Sequence, residues 1–269
     1  MEQNKRKGAK SQKDVSNLIL EQLNKGLIES VNLTEWLCVD HISLIKNVLP
    51  IEYQEYCINR VQTLTSKSVM SMIRSIGEVL CTNCKQRNDE NLFNRLKIHK
   101  SDSVRCWAAY IIGSDEELSL DEKLDMIQPF AADSHFGVRE ISWMAVREDI
   151  NKNIEMAISI LEIWSKNNNP NIRRFSSESI RPNGVWCKKI DALKANPNMA
   201  LPILENLKSD TSKHVQDSVA NWLNDAAKTQ PEFVIELCKR WEQDSTAKAT
   251  TYIVRRALRS VKDKKITRI

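Results

Sequence analysis

Glycine and proline are scarce in this chain, with 6 and 7 among 269 residues. No segment alternates apolar and polar residues over a strand's length. Together these absences disfavour a sheet-based fold and point to an all-helical one. No apolar stretch approaches the ~18 residues of a membrane span, and the N-terminus lacks the apolar core of a secretory signal. No Ser/His/Asp set, glycine-rich phosphate loop or metal-ligand cluster can be traced, so no cofactor or metal is expected. The four histidines, His41, His99, His135 and His214, are scattered.

Cysteine is present, but not as a framework. The count of seven is odd, and most are spread singly through helical patterns, as in a reduced cytoplasmic protein. Cys81-Thr82-Asn83-Cys84 is a lone CxxC. It has neither the second ligand pair that zinc requires nor the βαβ setting of a redox motif. The net charge of +5 is mild. Part of it sits in Lys5, Arg6, Lys7, Lys10 and Lys13 and in Lys262, Lys264, Lys265 and Arg268. Such runs are expected to be solvated tails that attract phosphate weakly.

What the chain does have is a recurring phrase. A buried-type residue followed by arginine opens a helical stretch at Val104-Arg105, Val138-Arg139 and Ile172-Arg173-Arg174, at intervals of 34 residues. Looser echoes follow at Val215 and at Val254-Arg255-Arg256. This period predicts an α-solenoid of HEAT-like helical repeats, whose working surface is a concave groove lined by the second helix of each repeat. Residues 1–13 are expected to form a disordered basic tail. Residues 14–269 are expected to form one repeat domain, with N-terminal helices over 14–86 and clear repeats over 87–261. Thr34 is a candidate N-cap, and Asp-containing turns before the second helices offer capping oxygens.

At about 100° per residue, Arg174, Glu178 and Arg181 fall roughly 180–240° from the core-facing Ile172. They therefore share the outward face, with Glu178 spaced to sit between two guanidinium groups. Glu140 and Trp143 leave the preceding second helix at roughly 200° and 140° from Val138, and Asp225 leaves the following one at roughly 280° from Val215. Arginines suit phosphates, tryptophan suits sugars and bases, and carboxylates suit a cationic centre or an attacking water. The same spacing also fits ordinary surface ion pairs and core tryptophans.

Several blocks carry a family resemblance. They are His135-Phe136-Gly137-Val138-Arg139-Glu140 with Trp143; Arg173-Arg174-Phe175-Ser176-Ser177-Glu178 with Arg181-Pro182 and Trp186; Ser218-Val219-Ala220-Asn221 with Leu223-Asn224-Asp225 and Ala227-Lys228; and Ile253-Val254-Arg255-Arg256-Ala257-Leu258-Arg259. From about Asp133 to Trp241 the chain resembles the HEAT-like DNA alkylation-repair glycosylases of the AlkC/AlkD type, and the AlkC branch in particular.

The resemblance implies a monomeric, metal-free enzyme of the bacterial cytosol or nucleoid. It would act on double-stranded DNA containing alkylated bases and hydrolyse the N-glycosidic bond of N3-methyladenine and N3-methylcytosine. It further implies catalytic roles for Glu178 and Asp225, with Glu140 as a third candidate. DNA contacts are implied for Arg139, Trp143, Arg173, Arg174, Arg181, Trp186, Lys188, Arg255 and Arg256. Either arginine of the 173–174 pair could instead serve packing within the repeat.

The chain also departs from the family pattern. Ser179 replaces a glycine, Asn183 a basic residue and Val185 a proline, and Gln216-Asp217 stands where the family has Arg-Arg. Fewer cations imply weaker phosphate binding. No immunoglobulin-like extension is expected after the last repeat. A non-catalytic binder of damaged or branched DNA, or a HEAT-type protein-interaction module, remains an alternative on the same scaffold.

Overall fold

A computed structural model describes residues 6–184 and 187–261. Its α-helices are α1 (Asn17–Asn24), α2 (Leu33–Trp36), α3 (His41–Val48), α4 (Ile51–Gln62), α5 (Val69–Arg87), α6 (Glu90–Leu96), α7 (Asp102–Ser114), α8 (Leu120–Ala131), α9 (Phe136–Lys152), α10 (Ile154–Trp164), α11 (Pro170–Glu178), α12 (Asp191–Ala195), α13 (Leu201–Leu207), α14 (Lys213–Ala226), α15 (Pro231–Asp244) and α16 (Lys248–Ala257). No strand occurs among the described residues. None of these helices is long and apolar enough to cross a membrane.

By packing, the chain falls into two compact units, Met1–Ala145 and Val146–Ile269. Each repeat packs mainly on its neighbours, so a helical-repeat chain has no single global core to hold all its contacts together. In the first unit α4 packs on α5 and α5 on α7; in the second α11 packs on α14 and α14 on α16. The residue that opens each phrase is buried throughout, from Val104, Val138 and Ile172 to Val215 and Val254.

Residues 6–13, which belong to the tail expected to be disordered, make contacts with the folded chain. Arg6 makes a bidentate pair with Glu35 at 2.6 and 2.8 Å, and the Asn32 side chain donates to the Ala9 carbonyl. Asn32, not Thr34, caps α2 by accepting from the Glu35 N–H. Residues 1–5 and 262–269, which carry the rest of the two basic runs, lie outside the described residues.

The two helices that matter most to the site have legible local causes. Pro170 occupies the first turn of α11, where its fixed φ suits a helix start. The Asn169 side chain caps it by accepting from the Asn171 N–H. Ile172 and Phe175 bury one turn apart, and Phe175 tilts against Trp164 of α10 at 5.1 Å. Ser176, Ser177 and Ser179 are buried and small, which lets α14 approach closely; Ser177 Oγ and Ser218 Oγ are 2.8 Å apart. Pro182 then disfavours helical geometry at Arg181, so α11 ends at Glu178 and Arg181 leads into a loop. In α14, Val215, Val219, Trp222, Leu223 and Ala226 bury on one helical stripe, each large side chain contributing about 1.5–3 kcal/mol.

Candidate active site and the arginine clasps

The recurring arginines are occupied by the fold itself. Arg105 Nη1 donates to the carbonyls of His99 and Lys100, six and five residues back. Arg139 Nη1 does the same to Asp133 and Ser134 at 2.7 and 2.8 Å, and Arg173 Nη1 to Asn167 and Asn168 at 2.9 and 3.0 Å. Each guanidinium clasps the turn that leads into its own helix. Two of them also reach forward to the next repeat's turn: Arg105 to Asp133 at 2.8 and 3.0 Å, and Arg173 to Asp210 at 2.6 and 3.0 Å. Those aspartates shape their turns by accepting the N–H two residues on, at His135 and Ser212.

Arg139 and Arg173, expected to contact DNA, thus have structural partners: Arg139 Nη1 binds two backbone carbonyls, and Arg173 binds two carbonyls and the Asp210 carboxylate. Gln216, which stands where a cation was expected, donates from Nε2 to the Asp210 carbonyl at 2.8 Å, again six residues back. An amide has enough donors for this job, so the change from cation to amide keeps the clasp.

A second arginine arrangement lies at the other end of α11. Arg181 Nη1 donates to Glu178 Oε1 at 2.9 Å. Its Nε and Nη2 donate to Asp225 Oδ2 at 3.0 and 2.7 Å. One guanidinium thus ties together carboxylates from α11 and α14. Ser218 Oγ donates to Glu178 Oε2 at 2.7 Å, and Arg174 Nη2 stands 3.7 Å from the same oxygen. Lys228 Nζ, on a half-exposed side chain, donates to Asp225 Oδ1 at 2.9 Å. Burial pushes the Glu178 carboxyl upward, but Arg174, Arg181 and the Ser218 hydroxyl outweigh it and hold it below the usual carboxylate range.

The placement of these carboxylates runs against helix electrostatics. Glu178 closes α11 and Asp225 is in the last turn of α14, where the macrodipole disfavours negative charge. They are only 5% and 4% exposed. Buried carboxylates at two helix C-termini, held by few cations, conflict with local preference in the way working sites do.

The backbone beneath this arrangement is fixed by residues that helical-wheel reasoning missed. Arg147 is buried in α9 and donates to the carbonyls of Ser179 and Arg181, both at 2.6 Å, and of Lys188 at 3.2 Å. Trp222 Nε1 donates to the Ile180 carbonyl at 3.0 Å. The signal for Arg147 was the period itself, since it stands 34 residues before Arg181.

The remaining candidates are distributed as follows. Trp143 is buried, with its indole N–H on Glu140 Oε2 at 3.0 Å, and both belong to the first unit. Lys188 is exposed and 3.5 Å from Glu148. Arg255 and Arg256 flank the Tyr252 ring at 5.7 and 5.6 Å, and Arg256 lies 3.8 Å from Asp217. Asp217 also accepts from Lys213 at 2.6 Å and Tyr252 at 2.5 Å, so the acid at this position neutralises nearby cations. Trp186 lies outside the described residues. Burial pushes the Cys81 and Cys84 thiols up to about 11, leaving both protonated at neutral pH. Among the described residues, no group of three or more His, Cys, Asp or Glu side chains is arranged to hold a metal.

No family model matches the chain. A curated relative, an uncharacterized protein of Bacillus subtilis (strain 168) named YhaZ, is 40% identical over 120 residues, covering 45% of this chain and 33% of that protein. Among solved structures, the Pseudomonas fluorescens alkylpurine DNA glycosylase AlkC, bound to DNA containing an abasic site analog, matches with a TM-score of 0.64 at 21% identity. That match covers 94% of this chain and 65% of AlkC. AlkD2 from Streptococcus mutans matches with a TM-score of 0.57 at 24% identity, over 77% of this chain and 98% of that one. The chain thus spans a third of the curated relative's length and just under two thirds of AlkC's. The chain thus shares the all-α, helical-repeat fold of AlkC and AlkD2.

Proposed function

We propose that this protein is a monofunctional DNA glycosylase that releases small cationic alkylated bases, N3-methyladenine and N3-methylcytosine, from duplex DNA. The observation that carries the reading is the Glu178–Arg181–Asp225 arrangement: two buried carboxylates at helix C-termini, joined by one guanidinium. A cationic base already weakens its glycosidic bond. As that bond breaks, its electron pair goes to the base, which leaves neutral, and positive charge moves to the sugar. Water adds at the anomeric carbon and its proton passes to a carboxylate, giving an abasic site and free base. Carboxylates fixed before the reaction stabilise such a transition state without reorganisation.

The two carboxylates divide the work by their partners. Glu178 has both oxygens engaged inside the protein, by Arg181 and by Ser218, and supplies fixed negative potential. Asp225 turns Oδ2 inward to Arg181 and Oδ1 toward the half-exposed Lys228. A cationic sugar or its water can exchange with that lysine, so Asp225 is the carboxylate that meets substrate.

The test is single-turnover release of N3-methyladenine from methylated duplex DNA. Wild-type protein should release base. Glu178→Gln and Asp225→Asn, which keep shape and remove charge, should slow release by about 10²-fold or more. Tight, salt-sensitive binding with no release would support the non-catalytic DNA binder.

A further inference from the structure

We propose that Arg147 is a positioning residue for the carboxylate pair, holding Arg181 in register by binding the backbone on both sides of it. The inference rests on the reading of Glu178 and Asp225 as the working carboxylates. Just past the end of α11, the carbonyls have no helical partners. Arg147 takes those of Ser179 and Arg181, Trp222 takes that of Ile180, and Arg147 reaches across the loop to Lys188. Three consecutive carbonyls and the far side of the loop are thereby pinned. Arg147 is only 3% exposed, and its planar fork can meet carbonyls in several directions at once, which an ammonium cannot. Gly184 lies against this fork, where an added Cβ would overlap Arg147 Nη2 and Cys187 Sγ.

The period makes the division of labour explicit. Arg147 and Arg181 occupy the same register one repeat apart. The first turns to backbone carbonyls, and the second to carboxylates. If Arg147 releases the loop, Arg181 shifts relative to Glu178 and Asp225, and misplacement of about 1 Å is enough to cost much of a rate. The charged and polar groups that bear on Glu178 are Arg174, Arg181, Ser218, Arg147 and Cys187, with Asp225 facing it across Arg181.

Arg147→Lys tests the proposal because it keeps the charge and loses the fork. Two quantities are read: the titration midpoint of the Glu178 side-chain carboxyl by carbon-13 NMR, and single-turnover base release. Leu237→Ala, a core truncation in α15, serves as a control for stability loss alone. Arg147→Lys should raise the Glu178 midpoint as Arg181 loosens. It should slow release about tenfold, with DNA affinity changed less than about twofold because it touches no phosphate. The control should move neither quantity while folded. Gly184→Ala, which crowds Arg147 without removing it, should shift both in the same direction and stands in if Arg147→Lys does not fold. A Glu178 midpoint and a rate that match the control in these variants would overturn the proposal. A shifted midpoint in a protein whose wild type releases no base would keep the positioning role and sink the glycosylase reading.

Discussion

Arg173 and Arg181 stand near opposite ends of α11, one in its first turn and one just past its end. Arg173 binds two turn carbonyls and one aspartate. Arg181 binds two carboxylates from two helices. In the first environment the guanidinium balances a single acid and saturates backbone acceptors, so the cluster is complete in itself. In the second, one buried cation holds two buried anions, with the remaining compensation left to a more distant Arg174 and a half-exposed Lys228. An arginine that answers to carbonyls secures turns; an arginine that gathers carboxylates holds negative charge in a buried place.

Replacing each arginine by glutamine breaks the comparison most sharply. Arg181→Gln leaves Glu178 and Asp225 buried without their shared cation. It should cost about 3–5 kcal/mol in thermal or denaturant unfolding and reduce base release in the fraction that remains folded. Arg173→Gln loses the Asp210 pair, but the Gln216 precedent shows that an amide can still hold a turn carbonyl. It should cost about 1–3 kcal/mol and leave release per folded molecule unchanged.

The acid side of the stability curve sharpens the same contrast. Glu178 titrates below its unfolded value of about 4.3 because its cations and Ser218 outweigh burial. Unfolding therefore takes up protons in this range, and Glu178's contribution is present above the unfolded pKa and lost as pH falls through the folded one. Wild-type protein should lose stability steeply below about pH 4.5. Glu178→Gln should show a shallower slope there, measured as melting temperature against pH.

The smallest effect is expected at Gln216. Gln216→Leu should cost about 1 kcal/mol by leaving the Asp210 carbonyl without its donor. Gln216→Arg should stay within about 0.5 kcal/mol of wild type and leave the salt dependence of DNA binding unchanged, since the new cation would enter the clasp. A salt slope steepened by about one would show that the position faces phosphate after all.

The repeat phase was legible in the sequence because burial leaves a periodic trace: Val104, Val138, Ile172, Val215 and Val254 are all buried as the phrase implies. The pairing of Glu178 with Arg181 was legible too, from their three-residue spacing. The tasks of the arginines were not. A helical wheel gives a direction but no partner, and Arg139 and Arg173 both bind backbone carbonyls in turns, which carry no sequence signal. The side to which Trp143 turns was not legible either. An indole at an intermediate wheel angle can swing toward either side, and here it is buried with its N–H on Glu140. The link between Glu178 and Asp225 depends on how α11 and α14 pack, which only the folded chain displays.

The central claim is that catalysis resides in the carboxylates gathered by Arg181 while the phrase arginines maintain the frame. The most direct test is single-turnover release of N3-methyladenine by folded Asp225→Asn and folded Arg173→Gln, side by side with wild type. The account predicts release by wild type and by Arg173→Gln at similar rates, and a loss of about 10²-fold or more in Asp225→Asn. Undiminished release by Asp225→Asn, or a comparable loss in Arg173→Gln, would contradict it.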